Sequence, residues 1–317
     1  MSYIKPPQLV DRMVEAGAAK MQLAARDTLV RAFMGAALLT MGAAFAVTVS
    51  TQTGQPLLGA LLFPIGFVIL YLFGYDLLTG VFTLGPLAVI ARRPGATVRA
   101  MLRNWGLVFL GNLMGAVLVA VLMAIYFTYG FSTEPSAVGH AIGEIGHGRT
   151  VGYADHGAAG MLTLFIRGVL CNWLVSTGVV LAMASDSLSS KVLAMWLPIT
   201  LFFYMGFEHS IVNMFLFPSG LMLGADFTLW DYLIWNEIPT VIGNLFGGLL
   251  FVGLPLYFTH ARPRARKTIR VTDPSAADGG IDEASISESS VDEIGITAIG
   301  EEVDRVERGL ERVPTGR

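Results

Sequence analysis

Two ionisable side chains stand next to each other in one of the most apolar regions of the sequence. They are Glu208 and His209, in the stretch YMGFEHSIVNMF. A carboxylate can hold a cation or an interrupted backbone, and an imidazole can donate a hydrogen bond or pass a proton near neutral pH. An ionisable group inside a membrane span indicates a functional site, because burying it in lipid costs several kcal/mol. Neighbours on a helix point in directions about 100° apart, so different roles are expected for the two.

The composition places these residues in a membrane protein. Of the 317 residues, 54% are hydrophobic and 14% are charged, whereas a soluble domain carries about 25% charge. The single cysteine, Cys171, excludes an intrachain disulfide. It lies in an apolar run, where a buried and unreactive thiol is the usual case.

Six apolar blocks are long enough to cross a bilayer, since a spanning helix needs about 20 apolar residues. They cover residues 29–49, 57–91, 104–128, 158–184, 192–223 and 236–258. The second and fifth blocks are too long for one straight helix and are interrupted by Gly and Pro. Such breaks are tolerated only where protein or a water-filled cavity pairs the freed backbone groups. The sequence therefore predicts an all-α membrane protein with six transmembrane helices, of which the second and fifth are broken.

Clusters of Arg predict the orientation of these spans. Four Arg follow the second block and the basic segment ARPRARK follows the sixth, whereas the loop 130–157 is mostly acidic. Positive loops stay in the cytoplasm, so both termini are predicted to be cytoplasmic in a multi-pass protein of the inner (plasma) membrane. Residues 1–28 are predicted to form an amphipathic helix in the membrane interface. Residues 29–260 form the predicted six-span domain, and residues 261–317 an acidic, largely disordered tail.

Two short motifs recur at one spacing. GYDLL at Gly74 resembles GFEHS at Gly206, and GNLMGA at Gly111 resembles GNLFGG at Gly243, so both pairs lie 132 residues apart. A shift of 132 residues aligns the second block with the fifth and the third with the sixth, so each repeat contains three spans. Because three is an odd number, the pattern predicts an inverted three-helix repeat with a transport site near the bilayer midplane.

The repeat separates the roles of the two ionisable neighbours. Asp76 corresponds to Glu208, which predicts that both carboxylates hold the helix breaks. His209 corresponds to Leu77, so the imidazole has no polar counterpart. A polar residue present in one half alone is the better candidate for meeting a transported species.

The sequence resembles the formate/nitrite transporter family over residues 5–260. The resemblance rests on PPQLVDRMVEAGAAK, GYDLLTG, RNWGLVFLGNLMGA, RGVLCNWLV, GFEHSIVNMF and NEIPTVIGNLFGG, found in the family's order and spacing. It implies an aquaporin-like protomer in a homopentamer within the lipid bilayer, with one pore in each subunit. It also implies substrates that are small monovalent anions or their conjugate acids, and no cofactor, metal or nucleic-acid partner.

The resemblance further assigns the residues of the pore. It implies that the substrate and its protons meet the side chains of His209, Thr79, Asn172, Phe63, Phe67, Leu77 and Phe202. Thr79 and Asn172 would supply hydrogen-bond donors, and the apolar rings would form constrictions on either side of His209. Family members usually have a lysine at the outer entrance, where this chain has His156. Either this imidazole makes the attraction of anions depend on pH, or the alignment of the loop is shifted by a few residues.

The predicted function is a channel or transporter for small monovalent anions such as formate or nitrite, coupled to protons through His209. Hydrosulfide, acetate and lactate are alternative substrates for the same fold. A neutral-solute pore of the aquaporin type would suit the broken repeat, but the sequence has no Asn-Pro-Ala motif. An intramembrane enzyme would need a metal cluster or a paired nucleophile beside His209. The spacing of His140 and His147 fits no metal signature.

Overall fold

The structure is a computed structural model that describes residues 3–261, and helices form most of this part of the chain. Four long apolar helices have the length and composition to cross a membrane: Ala25–Thr53, Val98–Phe127, Gly157–Met183 and Leu229–His260. Four shorter apolar helices form two consecutive pairs, Pro56–Leu72 with Leu78–Ile90 and Leu188–Tyr204 with Ser210–Met222. Of the acidic tail predicted for residues 261–317, all but Ala261 lies outside the described residues.

The helices are numbered here in chain order. They are α1 (Pro6–Gln22), α2 (Ala25–Thr53), α3 (Pro56–Leu62), α4 (Pro64–Leu72), α5 (Leu78–Ile90), α6 (Val98–Phe127), α7 (Ala137–Gly148), α8 (Val151–Ala154), α9 (Gly157–Met183), α10 (Leu188–Tyr204), α11 (Ser210–Met222), α12 (Leu229–Tyr232), α13 (Ile238–Gly248) and α14 (Leu254–His260). Two π-helical stretches, Leu233–Glu237 and Leu249–Gly253, join α12, α13 and α14.

The second and fifth apolar blocks each lose their helical structure near the middle. The chain leaves the helix after α4 and again after α10, and returns to it at α5 and α11. Gly74 and Gly206 take left-handed φ angles of 72° and 65° at these two places, which glycine adopts without a steric penalty. The residue after each glycine donates its N–H to the carbonyl five positions back, at 3.0 and 3.1 Å. Both helices therefore end in the same Schellman-type cap.

Glycines allow two pairs of long helices to touch backbone to backbone. A Cβ added at Gly115 of α6 would lie 2.1 Å from the carbonyl oxygen of Phe33 in α2. A Cβ added at Gly247 of α13 would lie 2.1 Å from the carbonyl oxygen of Val169 in α9. Small residues let membrane helices approach closely enough for dispersion contacts to hold them together. These two contacts fix the helices that flank the breaks.

Helix α1 packs its apolar face against the rest of the domain. Its buried side chains Leu9, Val10, Met13 and Val14 lie in one cluster with Leu84, Leu87, Val180 and Val252. The polar face holds Arg12, whose Nη1 lies 2.7 Å from Oδ1 of Asp186, and Glu15, which pairs with Arg93. The amphipathic segment is thus a helix from Pro6 to Gln22, and its place in the membrane interface stays a prediction.

We expect Gly115→Ala to destabilise the fold and Gly106→Ala, on the same helix, to leave it unchanged. The first adds a methyl group against the α2 backbone, and overpacking of this kind costs about 1–3 kcal/mol. The second adds a methyl group where nothing lies within 4 Å. Thermal unfolding of the detergent-solubilised protein measures both. Equal melting temperatures for the two variants would contradict the close packing of α2 on α6.

Candidate functional site

An asparagine holds the first helix break together. Asn112 of α6 donates from Nδ2 to the carbonyl oxygens of Ala32 (2.8 Å) and Asp76 (3.0 Å). Its Oδ1 accepts from the N–H of Leu78, the first residue of α5, at 2.9 Å. One buried side chain therefore satisfies backbone groups that the missing helical turn leaves free, as a break at membrane depth requires.

A second asparagine makes the same set of bonds at the second break. Asn244 of α13 donates from Nδ2 to the carbonyl oxygens of Gly168 (2.8 Å) and Glu208 (2.9 Å). Its Oδ1 accepts from the N–H of Ser210, the first residue of α11, at 3.0 Å. Asn244 follows Asn112 by 132 residues, as the sequence motifs do. The two breaks share one hydrogen-bonding pattern.

The carboxylate at each break is buried and bound to a cation from another segment. Asp76 is 1% exposed and forms an ion pair with Lys20 of α1. Glu208 is fully buried and receives four donors. Its Oε1 accepts from the hydroxyl of Tyr153 (2.7 Å), and its Oε2 from Asn213 (3.0 Å), Asn236 (3.2 Å) and Arg149 (3.4 Å). Both carboxylate oxygens of Glu208 are therefore engaged by the protein, and its role in supporting the break stays a prediction.

Tyr153 links Glu208 to another cation. Its hydroxyl accepts from Nη1 of Arg167 at 2.7 Å while it donates to Glu208. Burial raises the pKa of Tyr153 well above its ordinary value, and the charge of Glu208 acts in the same direction. The hydroxyl therefore keeps its proton and remains a donor to the carboxylate.

His209 is the last residue of the second break, directly before α11, and its ring faces Thr79 near the start of α5. Its Nδ1 accepts from the N–H of Val212 at 3.4 Å, which places the proton of a neutral ring on Nε2. Nε2 lies 3.5 Å from Oγ1 of Thr79. The ring stacks on Phe202, with centroids 5.6 Å apart and planes at 25°. The structure thus brings together His209, Thr79 and Phe202, three of the predicted pore residues.

Asn172 has no free donor in this arrangement. Its Nδ2 donates to the carbonyl oxygens of Thr79 (3.1 Å) and Asn244 (2.6 Å). Its Oδ1 accepts from the hydroxyl of Ser176 at 3.1 Å, and Ser176 is in turn 2.6 Å from Oγ1 of Thr83. The side chain of Asn172 therefore connects the start of α5 to α13, and we call this pair of bonds the Asn172 clamp.

A cavity of about 440 Å³ reaches from the side of α7 to His209. Its wall is mostly apolar and includes Phe202, Phe203, Phe207, Val212 and Leu216. Two charged side chains, Glu144 and Arg149, belong to the same wall. The imidazole therefore stands where the cavity meets the buried centre of the domain.

The remaining predicted constriction residues are buried around this centre. Phe63 packs edge-on against Phe202, with ring centroids 5.5 Å apart. Phe67 and Leu77 are 2% and 6% exposed and belong to the same apolar core. The cavity wall includes His209 and Phe202 but not Phe63, Phe67 or Leu77. Their contact with a permeating species stays a prediction.

Arg149, not His156, is the basic residue at this cavity. His156 is an exposed residue that precedes α9 and is absent from the cavity wall, and its predicted role at the entrance stays a prediction. Arg149 was visible in the sequence as the one Arg of the loop 130–157. A second signal was the buried charge of Glu208, which needs a cation close by.

Within residues 3–261, no group of three or more His, Cys, Asp and Glu side chains is arranged to hold a metal ion. His140 and His147 lie on exposed positions of α7.

Comparison with known proteins gives a consistent result. The family model described as formate/nitrite transporter matches residues 7–258. A probable formate transporter of Methanothermobacter thermautotrophicus is 33% identical, over 74% of this chain and 89% of that protein. A solved FNT family ion channel has a TM-score of 0.69 at 25% identity, over 80% of this chain and 99% of the other. A pentameric formate channel with formate bound has a TM-score of 0.59 at 25% identity, over 74% and 97%.

We expect Asn112→Ala and Asn244→Ala to destabilise the fold by similar amounts. Each removes three hydrogen bonds and leaves buried backbone groups without a partner, which together costs roughly 3 kcal/mol. Asn104→Ala is the control, because Asn104 of the same α6 makes one bond, to the carbonyl of Lys20 at 3.0 Å, worth about 1 kcal/mol. Chemical unfolding in detergent compares the three. Losses no larger than that of Asn104→Ala would contradict the role of the two asparagines.

Proposed function

This chain belongs to the formate/nitrite transporter family, and from that premise we propose that it conducts formate or a similar small monovalent weak-acid anion across a membrane. The observation that carries the proposal is the cavity that ends at the buried ring of His209, beside Thr79 and Phe202. The similar proteins named above are a transporter and two channels, which agrees with a role other than catalysis.

We propose six transmembrane helices arranged as an inverted repeat of three. The two helix pairs on either side of Gly74 and Gly206 each count as one broken span in this scheme. The matching bonds of Asn112 and Asn244 support the repeat. Because each half contains an odd number of spans, the two halves face opposite ways, as in an aquaporin-like protomer.

The assembly and its location belong to the same proposal. A similar chain is described as a pentameric formate channel, and we infer a homopentamer in the lipid bilayer for this chain as well. The Arg-rich segments after the second and sixth apolar blocks support cytoplasmic termini in the inner (plasma) membrane.

His209 supplies the polar contact for the substrate in this mechanism. A bare anion loses its hydration between Phe202 and Phe63, and an unpaired charge in such surroundings is very costly. The Nε2 proton offers a hydrogen bond at that point, and Thr79 adds a hydroxyl. When the ring carries a second proton it is an imidazolium, and transfer of one proton to the anion produces the neutral acid and leaves the neutral imidazole. The neutral acid crosses the apolar ring at much lower cost than the anion. The ring then takes a proton from the other side.

The clamp made by Asn172 serves this step by positioning. Because its donors hold the carbonyl of Thr79 and the helix α13, the Thr79 hydroxyl stays opposite Nε2 of His209. Phe67 and Leu77 continue the apolar lining beyond the imidazole in this scheme. A site fixed in advance costs no reorganisation when the anion arrives.

His209→Asn is expected to fold and assemble normally while losing proton-coupled flux. Asparagine keeps a donor amide but cannot transfer a proton at neutral pH. The measurement is formate flux in liposomes together with a pH-sensitive dye inside them, over a panel that includes nitrite, hydrosulfide, acetate and lactate. The panel also separates formate from these alternative substrates.

His140→Asn is the matched control, since His140 is an exposed residue of α7 outside the cavity wall. It should behave as the wild type. Proton-coupled flux that persists in His209→Asn would rule out the relay, and a wild-type protein that passes none of the anions would rule out the proposed function.

Arg149→Gln should reduce anion flux at low ionic strength, whereas His156→Gln should leave it unchanged. Arg149→Gln leaves the negative charge of Glu208 without its guanidinium at the cavity wall, whereas His156 lies outside that wall. Initial flux at a low formate concentration measures the difference. A loss that follows His156 instead would restore that residue as the entrance cation.

A further inference from the structure

Two charged side chains line the cavity in the part of the chain that the structure describes. Glu144 is an exposed residue of α7, and Arg149, which is half-buried, follows the end of the same helix. A charge at the wall of a narrow cavity changes the local concentration of ions more than the same charge on an open surface. The balance between these two groups therefore decides which species the cavity attracts.

The positive charge of Arg149 is balanced by the buried carboxylate of Glu208. Its Nη1 lies 3.4 Å from Oε2 of Glu208, which is fully buried, while the Arg149 side chain is 23% exposed. A guanidinium next to a buried carboxylate acts on a distant anion as a pair of opposite charges. Little net attraction for an anion remains from this pair.

Glu144 has no such partner. Within residues 3–261 its carboxylate makes neither an ion pair nor a hydrogen bond. Glu208 also reaches a second cation, Arg167, through the hydroxyl of Tyr153, so the formal charges of Glu144, Arg149, Glu208 and Arg167 sum to zero. Of the two charged side chains of the wall itself, Glu144 is the one without a counter-charge, and its sign is the opposite of that expected for a site built to concentrate anions.

The other groups around the cavity add no fixed positive charge. The wall receives Ser50 and Thr51 from α2, Tyr204 from α10 and the buried His209, which directly precedes α11. Outside the wall, the hydroxyl of Tyr153 on α8 donates to Glu208 and accepts from Arg167. Two further groups on α7 itself, His140 and His147, and the exposed pair Asp155 and His156 after α8 lie outside the wall.

We propose that Glu144 sets the charge selectivity of the cavity. Its carboxylate lowers the concentration of the anion next to His209 and leaves that of the neutral conjugate acid unchanged, so it favours uptake of the acid from this side. This inference rests on the proposed function. It adds a residue that neither the sequence motifs nor the helix breaks identify.

The experiment uses the full-length protein in liposomes and measures initial formate flux at a low formate concentration. Glu144→Gln keeps the shape of the side chain and removes its charge, and Glu144→Lys reverses it. A single charge acting over about 10 Å in a partly aqueous cavity changes the local anion concentration about two- to fivefold. Flux should therefore rise about two- to fivefold in Glu144→Gln and further in Glu144→Lys.

Glu134→Gln is the matched control, because Glu134 precedes the same helix, is exposed and lies outside the cavity wall. It should leave flux unchanged. Raising the ionic strength to about 1 M with an impermeant salt shortens the screening length to about 3 Å, and the gain in Glu144→Gln should then shrink towards the wild-type value.

A wild-type flux that Glu144→Gln leaves unchanged at low salt overturns the inference and leaves the proposed function intact. A gain of equal size at low and high salt also overturns it, since the cause would then be steric. If the folded wild-type protein passes no formate at all, the proposed function fails, and the inference that rests on it fails too.

Discussion

The structure depends on one constraint: a helix that is interrupted within lipid must pair its freed backbone groups inside the protein. Asn112 and Asn244 do this at the two breaks, each with one carbonyl oxygen and one N–H of the interrupted segment. Each asparagine also donates to a carbonyl oxygen inside a neighbouring long helix. Because both asparagines sit on long helices fixed by glycine contacts, the starts of α5 and α11 are held at defined positions. Thr79 lies at the start of α5 and His209 directly before α11. The distance of 3.5 Å between Oγ1 of Thr79 and Nε2 of His209 therefore depends on how the two breaks are held.

The charges near the breaks extend the same argument from stability to function. A buried carboxylate such as Glu208 is tolerated only with several donors and a cation, and the loop after α7 supplies Arg149 and Tyr153. The need to neutralise Glu208 therefore brings a guanidinium to the wall of the cavity that leads to His209. The carboxylate of Glu208 balances much of the positive charge of Arg149. In our proposal the charge of Glu144 then decides the electrostatic field in the cavity. One ion pair thus serves the fold and shapes the environment of the substrate.

The resemblance of the motifs indicated the family, and the length of the apolar blocks with their Gly and Pro residues indicated the two breaks. The repeat and the cost of a buried charge predicted separate roles for Glu208 and His209, and the role of His209 stays a prediction. The hydrogen bonds of Glu208 agree with its predicted structural role. Spacing could not predict Arg149 as the partner of Glu208, since the contact depends on how a loop folds back over 59 residues. Nor could it show that the amide of Asn172 is committed to backbone carbonyls, because residue type alone does not say which donors remain free.

The most direct test of the central claim is a high-resolution structure of the protein in membrane-like nanodiscs with formate. The account predicts one formate with an oxygen within about 3 Å of Nε2 of His209 and close to the hydroxyl of Thr79. It also predicts that the side chains of Asn112 and Asn244 keep their bonds at both breaks. Formate found only beside Arg149, with the ring of His209 closed off from the cavity, would contradict the account.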